Sequence, residues 1–180
     1  WSTDGITWTQ ATASAEWSPR YSHTSVVYDG KMWVMGGYDG SSYKNDVWWS
    51  TDGVTWTRAT ASAGWSARYG HTSVVYDGKM WVMGGYIGSA YKNDVWWSTD
   101  GITWTQATAS AEWSPRYSHT SVVYDGKMWV MGGYDGSSYK NDVWWSTDGV
   151  TWTRATASAG WSARYGHTSV VYDGKMWVMG

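Results

Sequence analysis

The sequence predicts an all-β fold in which a unit of four short antiparallel strands recurs every 48 residues. Three observations support this prediction. The stretch from Arg20 to Gly37 returns, starting from Arg68, Arg116 and Arg164. Each copy consists of short runs rich in Val, Thr, Trp and Tyr, separated by Asp-Gly or Gly-Gly pairs, a pattern typical of strands joined by tight turns. No segment shows the apolar periodicity of a helix, since the longest candidate, residues 11–17, is short and mixes in Thr and Ser.

The repetition has a true period of 96 residues, because residues 1–84 and 97–180 are identical at all 84 shared positions. Each period holds two 48-residue halves, A from Trp1 and B from Trp49. The halves differ at seven places: Ile6/Val54, Gln10/Arg58, Glu16/Gly64, Pro19/Ala67, Ser22/Gly70, Asp39/Ile87 and Ser42/Ala90. Natural repeats drift, so identity over this length favours a designed origin. A very recent natural amplification is the alternative.

Each repeat contains four predicted strands in chain order. The Asp29-Gly30 pair predicts a two-residue type I′ turn between the first two strands, because Gly accepts the positive φ that this turn demands. We expect the Gly36-Gly37 pair to end the second strand. The four predicted strands of the first full copy are Tyr21–Tyr28, Lys31–Met35, Asn45–Ser50 and Val54–Thr57.

The second and third predicted strands each contain a segment that is apolar on both faces, Met32–Met35 and Val47–Trp49 respectively. A strand of this kind must be covered on both sides. In a repeat protein the neighbouring repeat supplies the cover. Units of four antiparallel strands, about 40–50 residues long and stacked face to face, are the blades of a β-propeller. The predicted fold is therefore a β-propeller of four-stranded antiparallel blades, with 48 residues per blade.

Composition excludes several classes of function. The net charge of -2 provides no basic face for nucleic acid or anionic lipid. No apolar run approaches the roughly 18 residues of a transmembrane helix, and Trp1 lies within a repeat rather than in a signal peptide. We therefore expect a soluble protein of unassigned location. The absence of Cys removes disulfides and thiolate chemistry, and no phosphate-binding loop or nucleophile elbow is present. We expect no cofactor.

Three features together resemble the kelch repeat over essentially the whole chain: Arg20-x-x-His23, the Gly36-Gly37 pair, and Trp49-x6-Trp56. Trp49 stands where kelch repeats usually have Tyr. The resemblance implies a propeller whose first strand is innermost and fourth outermost. It also implies that the Asp-Gly hairpins lie on one rim of the ring, and the glycine-pair and crossing loops on the other. The chain is similar to symmetric designer propellers of the Cake type, which are built from kelch-like templates.

The whole chain, residues 1–180, is predicted to be a single propeller segment. Its predicted parts are a half blade (1–12), three whole blades (13–60, 61–108 and 109–156) and a complementary half blade (157–180). The two halves are expected to complete one blade and close the ring. Closure within one chain gives four blades at steep angles, whereas two chains give eight and preserve the alternation of A and B. We therefore favour an eight-bladed homodimer.

The sequence offers two sets of candidate site residues and no catalytic residue. The first set is histidines at equivalent places on the innermost strand, which form either a metal-binding ring or hydrogen bonds to the neighbouring blade: His23, His71, His119 and His167. We favour the second role and predict no metal site. The second set is either a possible ligand rim that stacks on a sugar or peptide or, as we favour, a set that packs between blades with Arg20 paired to a carboxylate or a carbonyl: Trp17, Arg20, Tyr38, Trp65, Arg68 and Tyr86.

The function predicted from these observations is a non-enzymatic scaffold that assembles with itself by strand complementation. Glu16 and Asp39 occur once per two blades, too thinly for a paired-carboxylate catalyst. The alternative function is a carbohydrate- or peptide-binding propeller that uses the aromatic loop rim. The sequence identifies no small-molecule ligand, and its only predicted partner is a second copy.

Overall fold

The computed structural model describes residues 1–180 and consists of β-strands, turns and loops, without a helix. Sheet 1 contains β1 (Thr24–Tyr28), β2 (Lys31–Tyr38), β3 (Tyr43–Ser50) and β4 (Thr57–Thr60). Sheet 2 contains β5 (Thr72–Tyr76), β6 (Lys79–Tyr86), β7 (Tyr91–Ser98) and β8 (Thr105–Thr108). Sheet 3 contains β9 (Thr120–Tyr124), β10 (Lys127–Tyr134), β11 (Tyr139–Ser146) and β12 (Thr153–Thr156). A C-terminal hairpin contains β13 (Thr168–Tyr172) and β14 (Lys175–Met179).

Each sheet is antiparallel, and its strands lie in chain order. The first strands β1, β5, β9 and β13 are successive neighbours in space, so they line the inner side of the array and the short fourth strands lie outermost. The all-β prediction of repeated four-stranded blades is confirmed, and the chain forms a partial propeller. It has no helix of the length and apolarity needed to cross a membrane.

The glycine pair does not end the second strand, so that prediction was wrong. Strand β2 continues through Gly36 and Gly37 to Tyr38, with a register shift between Met35 and Gly37 that marks a β-bulge. Gly37 donates its backbone N–H to the carbonyl oxygen of Arg68 at 2.9 Å. Both glycines have positive φ, 62° and 98°. The bulge places Gly36 against the next sheet, where a Cβ atom would meet the His71 ring at 2.7 Å, and Gly37 against His23 of its own sheet, at 2.8 Å.

The fourth strand begins at Thr57. The predicted start at Val54, which was based on β-propensity, was wrong. The carboxylate of Asp52 accepts the backbone N–H groups of Val54 and Thr55, at 2.8 and 2.9 Å, and the Ser50 hydroxyl accepts that of Gly53 at 2.8 Å. These side chains satisfy the amides that a strand would have used in pairing. Residues 51–55 therefore form a capped turn.

The core lies between sheets rather than within them, and we call each such contact face a joint. One cluster of buried side chains fills the joint between sheets 1 and 2 and includes Trp33, Trp65 and Trp104. A second fills the joint between sheets 2 and 3 and includes Trp81 and Trp113. A smaller cluster lies around sheet 3 and packs against partly buried residues of the C-terminal hairpin. Because each sheet buries its faces only against neighbours, the repeats depend on one another for stability.

Residues 1–12 repeat residues 49–60 but form no strand. Trp1 and Thr9 exchange two backbone hydrogen bonds at 2.8 and 2.9 Å, and none of the hydrogen bonds of this segment reaches the C-terminal hairpin. Only Trp1 and Ser2 correspond to positions of a third strand, the last two of the eight in β3. The division into whole and half blades, and the closure by a split blade, stay predictions.

Candidate functional site

The joints are organised around one tryptophan of each second strand. The indole of Trp33 on β2 lies directly over Gly101, in the turn between β7 and β8, so closely that a Cβ atom there would overlap the ring. Ala63, Trp65 and Trp104 pack in the same cluster. The arrangement recurs one repeat later, where Trp81 lies over Gly149 beside Ala111, Trp113 and Trp152. Each of the two joints between four-stranded sheets is therefore a tryptophan seated in a glycine-floored socket, whereas Trp129 at the C-terminal hairpin is only partly buried.

A buried ion pair holds each sheet to its own crossing segment. The guanidinium of Arg68 donates to both carboxylate oxygens of Asp94, at 2.6 and 2.9 Å, and to the carbonyl oxygen of Gly84 at 2.8 Å. Burial alone would raise the pKa of the Asp94 carboxyl, but the hydrogen bonds and charge of Arg68 hold it below its usual value. The pair therefore stays ionised, as charge-assisted bidentate geometry favours. Arg20–Asp46 and Arg116–Asp142 repeat it.

Several candidate rim residues are not available at the surface. Arg68 and Trp65 are fully buried, and the guanidinium of Arg20 is enclosed by its pairing with Asp46. Trp17 is half-buried and packs edge-on against Trp56 at 5.9 Å between ring centroids. Trp65 lies in the joint between sheets 1 and 2, and Arg20 and Arg68 each pair with an aspartate of their own sheet. Of the six candidates, Trp17 stays partly exposed beside Trp56, and two lie in a row of partly exposed tyrosines, Tyr38 and Tyr86.

Those two belong to a longer row of tyrosines, which we call the tyrosine rim. Its members lie where the glycine-pair loops and crossing segments meet: Tyr21, Tyr38, Tyr43, Tyr69, Tyr86, Tyr91, Tyr117, Tyr134, Tyr139 and Tyr165. Contacts bridge the joints, as between Tyr43 and Tyr69, which stack at 5.5 Å. Burial and then the neighbouring tyrosines raise the pKa of Tyr69 to about 12. The Tyr69 phenol therefore stays uncharged within this row of rings.

The tyrosines of the crossing segments were not predicted to belong to a rim. Tyr21 and Tyr69 were assigned to strand starts, and in the structure each makes only an isolated bridge, to Tyr38 and Tyr86 respectively. A usable signal was present, since tyrosines recur at 48-residue intervals at three positions of each copy near the glycine-pair loop. Periodicity alone did not show that these positions from successive repeats come into contact.

Two of the four histidines bridge neighbouring first strands. His71 Nε2 shares a hydrogen bond with the Thr24 hydroxyl at 3.2 Å, and His119 Nε2 does so with the Thr72 hydroxyl at 3.1 Å. No group of three or more His, Cys, Asp or Glu side chains is placed to hold a metal ion. Burial, and then the positive charge of Arg68, lowers the pKa of His71 to about 3. Burial and Arg116 likewise hold the pKa of His119 well below its usual value.

These buried imidazoles predict an acid-sensitive fold. An unfolded imidazole has a pKa near 6.5, so below that pH the unfolded chain binds protons that the buried His71 and His119, with their lowered pKa values, do not bind. The stability contributed by these histidines is therefore complete above pH 6.5 and decreases as the pH falls. We expect the free energy of unfolding to drop by about 2–4 kcal/mol between pH 7 and 5, at up to about 1.4 kcal/mol per histidine and pH unit.

Denaturant titrations at the two pH values test this expectation. The matched control is the double variant His71→Gln/His119→Gln, which should be less stable at pH 7 but show a flatter pH dependence. An equal pH dependence in both proteins would assign the acid sensitivity to other groups.

The fold and the joints together define a class: a tandem-repeat β-propeller segment whose four-stranded sheets are held by tryptophan sockets, buried Arg–Asp pairs and His–Thr bridges. The model of the kelch-repeat domain of KLHDC2, KLHL20 and DRC7 matches residues 1–180. The chain belongs to the kelch-repeat family.

A curated relative is similar over a short stretch. The leucine-zipper-like transcriptional regulator 1 homolog of Drosophila melanogaster is 53% identical over 30 residues. That stretch covers 17% of this chain and 3% of the relative's own length.

Proposed function

We propose that this chain is a non-enzymatic propeller scaffold of designed origin that assembles with a second copy of itself into an eight-bladed ring. The observation that carries the proposal is the exposure, on the first and last sheets, of residues that the internal joints bury. The designed origin is supported by the identity of residues 1–84 and 97–180.

The contrast between end and internal positions is large. Trp177 on β14 is 44% exposed, whereas its repeat counterpart Trp81 is 3% exposed. Met32 on β2 is 37% exposed, whereas Met80 is completely buried. Apolar faces of this extent on a water-exposed sheet favour association. The internal joints support a second copy as the partner, because they join copies of the same two faces.

An eight-bladed ring satisfies both end faces at once. The last sheet of one copy meets the first sheet of the other twice, so no apolar face stays open and every B-type blade is followed by an A-type blade. Within one chain, the first sheet and the C-terminal hairpin share no strand pairing. Closed symmetric association of this kind is the common form of homo-oligomers.

Sedimentation velocity and native mass spectrometry over a range of concentrations test the proposal. We expect a particle of twice the 20.2 kDa chain mass that dissociates only on dilution. A species with the mass of one chain at every concentration contradicts the proposal, and so does a ring of three or more chains. If the chain is of designed origin, we also expect its coding sequence to have no counterpart in a natural genome.

The tyrosine rim favours a second candidate function, the binding of a carbohydrate or peptide. Partly exposed rings such as Tyr38 and Tyr86 present their edges and faces in a continuous row, and such rings supply rigid contact area at low entropic cost. A glycan array together with fluorescence titrations of peptides tests it, with the Tyr21→Ala and Tyr69→Ala variants as controls for location. The absence of any saturable response contradicts this second candidate.

A further inference from the structure

One socket in the structure is empty. A cavity of about 410 Å³ opens on the first sheet, and its lining includes Ala15, Trp17, Gly53 and Trp56. A second cavity of about 430 Å³ adjoins it and shares Trp17 and Trp56. Both lie on the face of sheet 1 that has no neighbouring sheet.

This cavity is the repeat counterpart of two sockets that are filled. Its lining residues lie 48 positions before Ala63, Trp65, Gly101 and Trp104, the set that packs around Trp33. The next set along the chain, again 48 positions on, packs around Trp81. The T-shaped contact between Trp17 and Trp56 at 5.9 Å reproduces that between Trp65 and Trp104 at 5.8 Å. The walls of the open socket are therefore already formed, and only the seated indole is missing from it.

The last second-strand tryptophan of the chain has no socket to enter. Trp177 on β14 occupies the position of Trp33 and Trp81, and its indole is held in the same orientation by a hydrogen bond from Nε1 to the Tyr172 carbonyl oxygen at 3.0 Å. Trp33 and Trp81 make the equivalent bond at 3.0 and 2.9 Å. We propose that the socket over Gly53 receives Trp177 of a second copy, and that this joint, rather than strand pairing, holds the copies together. The inference rests on the proposed self-assembly.

Strand pairing between copies has little to contribute. By the register of β2 with β3, where Met32 faces Ser50 and Trp33 faces Trp49, the first two residues of one copy would face Met176 and Trp177 of the other. Internal sheets extend this pairing from Met32 to Tyr38. Strand pairing between copies is therefore limited to two residue pairs. The joint between copies provides polar contacts in addition to the seated indole.

Those polar contacts follow from the internal joints. Tyr28 and Tyr76 each donate a phenolic hydrogen bond to a hairpin-turn carbonyl of the next sheet, that of Gly78 and of Gly126, at 2.8 Å. The corresponding donor and acceptor at the ends are Tyr172, which is exposed, and the carbonyl of Gly30. The His–Thr bridge is likewise expected between His23 and Thr168. A new joint therefore satisfies polar groups as well as burying apolar ones.

The variant Gly53→Asn tests the socket without touching an internal joint. A Cβ atom at Gly53 meets only Met32 Cε at 3.2 Å and Ala11 Cβ at 3.9 Å, and Asn tolerates the positive φ of 74° at this position better than other side chains. The side-chain amide of the introduced asparagine would occupy the space over position 53 in which the Trp177 indole would lie. We expect the dimer dissociation constant to rise at least about 100-fold, as for loss of a central aromatic anchor.

The matched control is Gly126→Asn, because Gly126 also has a positive φ, 65°, and no atom lies within 4 Å of a Cβ there. Its dissociation constant should equal that of the wild-type chain. Trp177→Ala, which removes the indole from the other side, should match Gly53→Asn and keeps the test valid if the asparagine variant fails to fold. Deletion of Trp1 and Ser2 should weaken dimerisation less than about 10-fold.

The outcomes separate the two proposals. A wild-type dimer whose dissociation constant is unchanged by Gly53→Asn and by Trp177→Ala overturns the socket and leaves self-assembly standing. A deletion of Trp1 and Ser2 that matches or exceeds the effect of Trp177→Ala assigns the assembly to strand pairing and also overturns the inference. A wild-type chain that is monomeric at every concentration overturns both proposals.

Discussion

Replacement of Arg68 by alanine is expected to lower the free energy of unfolding by about 3–5 kcal/mol, the usual cost of breaking a buried ion pair from one side. The substitution leaves the Asp94 carboxylate buried without its bidentate partner, and the Gly84 carbonyl loses a donor. Because Arg68 also packs beside Trp65, at 5.9 Å from its ring centroid, the loss adds a gap to the joint. Urea titrations at fixed chain concentration measure the change.

The control for this variant is Arg58→Ala. Arg58 is exposed on β4 and lies over the Trp48 ring at 5.6 Å, so its loss should cost about 1 kcal/mol or less. Similar costs for the two variants would show that the Arg68–Asp94 pair contributes no more than a surface contact. Arg68→Lys should recover only part of the loss, because an ammonium group does not reproduce the two parallel hydrogen bonds.

Replacement of Gly101 by alanine is expected to destabilise the chain by about 3–5 kcal/mol, similar to the loss of a buried tryptophan. The added Cβ atom overlaps the indole of Trp33, so the ring must leave its socket or the turn must move. The positive φ of 72° at this position adds about 1–2 kcal/mol of backbone strain. Denaturant unfolding followed by tryptophan fluorescence reports both the stability and the displaced indole.

Gly78→Ala separates these two contributions. Gly78 has a similar φ of 67°, but a Cβ atom there meets nothing within 4 Å. Its substitution should cost only the backbone strain, about 1–2 kcal/mol. If Gly101→Ala is no more destabilising than Gly78→Ala, the socket tolerates a side chain, and the structural role assigned to the seated tryptophan is wrong.

Local chemistry was enough to predict the turns between first and second strands. Asp29 and Gly30 have φ values of 49° and 68°, as the type I′ turn requires, and the pairing of Tyr28 with Lys31 follows from the two-residue loop. The apolar character of both faces of β2 likewise predicted a neighbour on each side. The turns depend on residues adjacent in sequence, and the neighbouring sheets follow from the need to shield both apolar faces of β2 from water.

Competition between local preferences accounts for the misplaced fourth strand. Val54 and Thr55 favour a strand by propensity, but the side chains of Ser50 and Asp52 satisfy their amides and that of Gly53 in a turn. Capping by a nearby carboxylate outweighs a propensity that spans only about 1 kcal/mol. The strand therefore starts at Thr57, beyond the reach of those caps.

The repeat, the four-stranded unit and the need for stacking follow from the sequence alone, because turn glycines, Asp-Gly pairs and strand composition act within a few residues. The roles of Gly36, Gly37, Arg68 and Trp65 depend on the three-dimensional fold, since their partners come from another strand or another sheet. Arg68 pairs with Asp94, 26 residues away, and glycine is required at position 36 by His71 of the following repeat and at position 37 by His23. The sequence around an aromatic or basic residue near a loop is the same whether its side chain faces solvent or a neighbouring sheet. The packing of the sheets in the joint determines which of the two occurs.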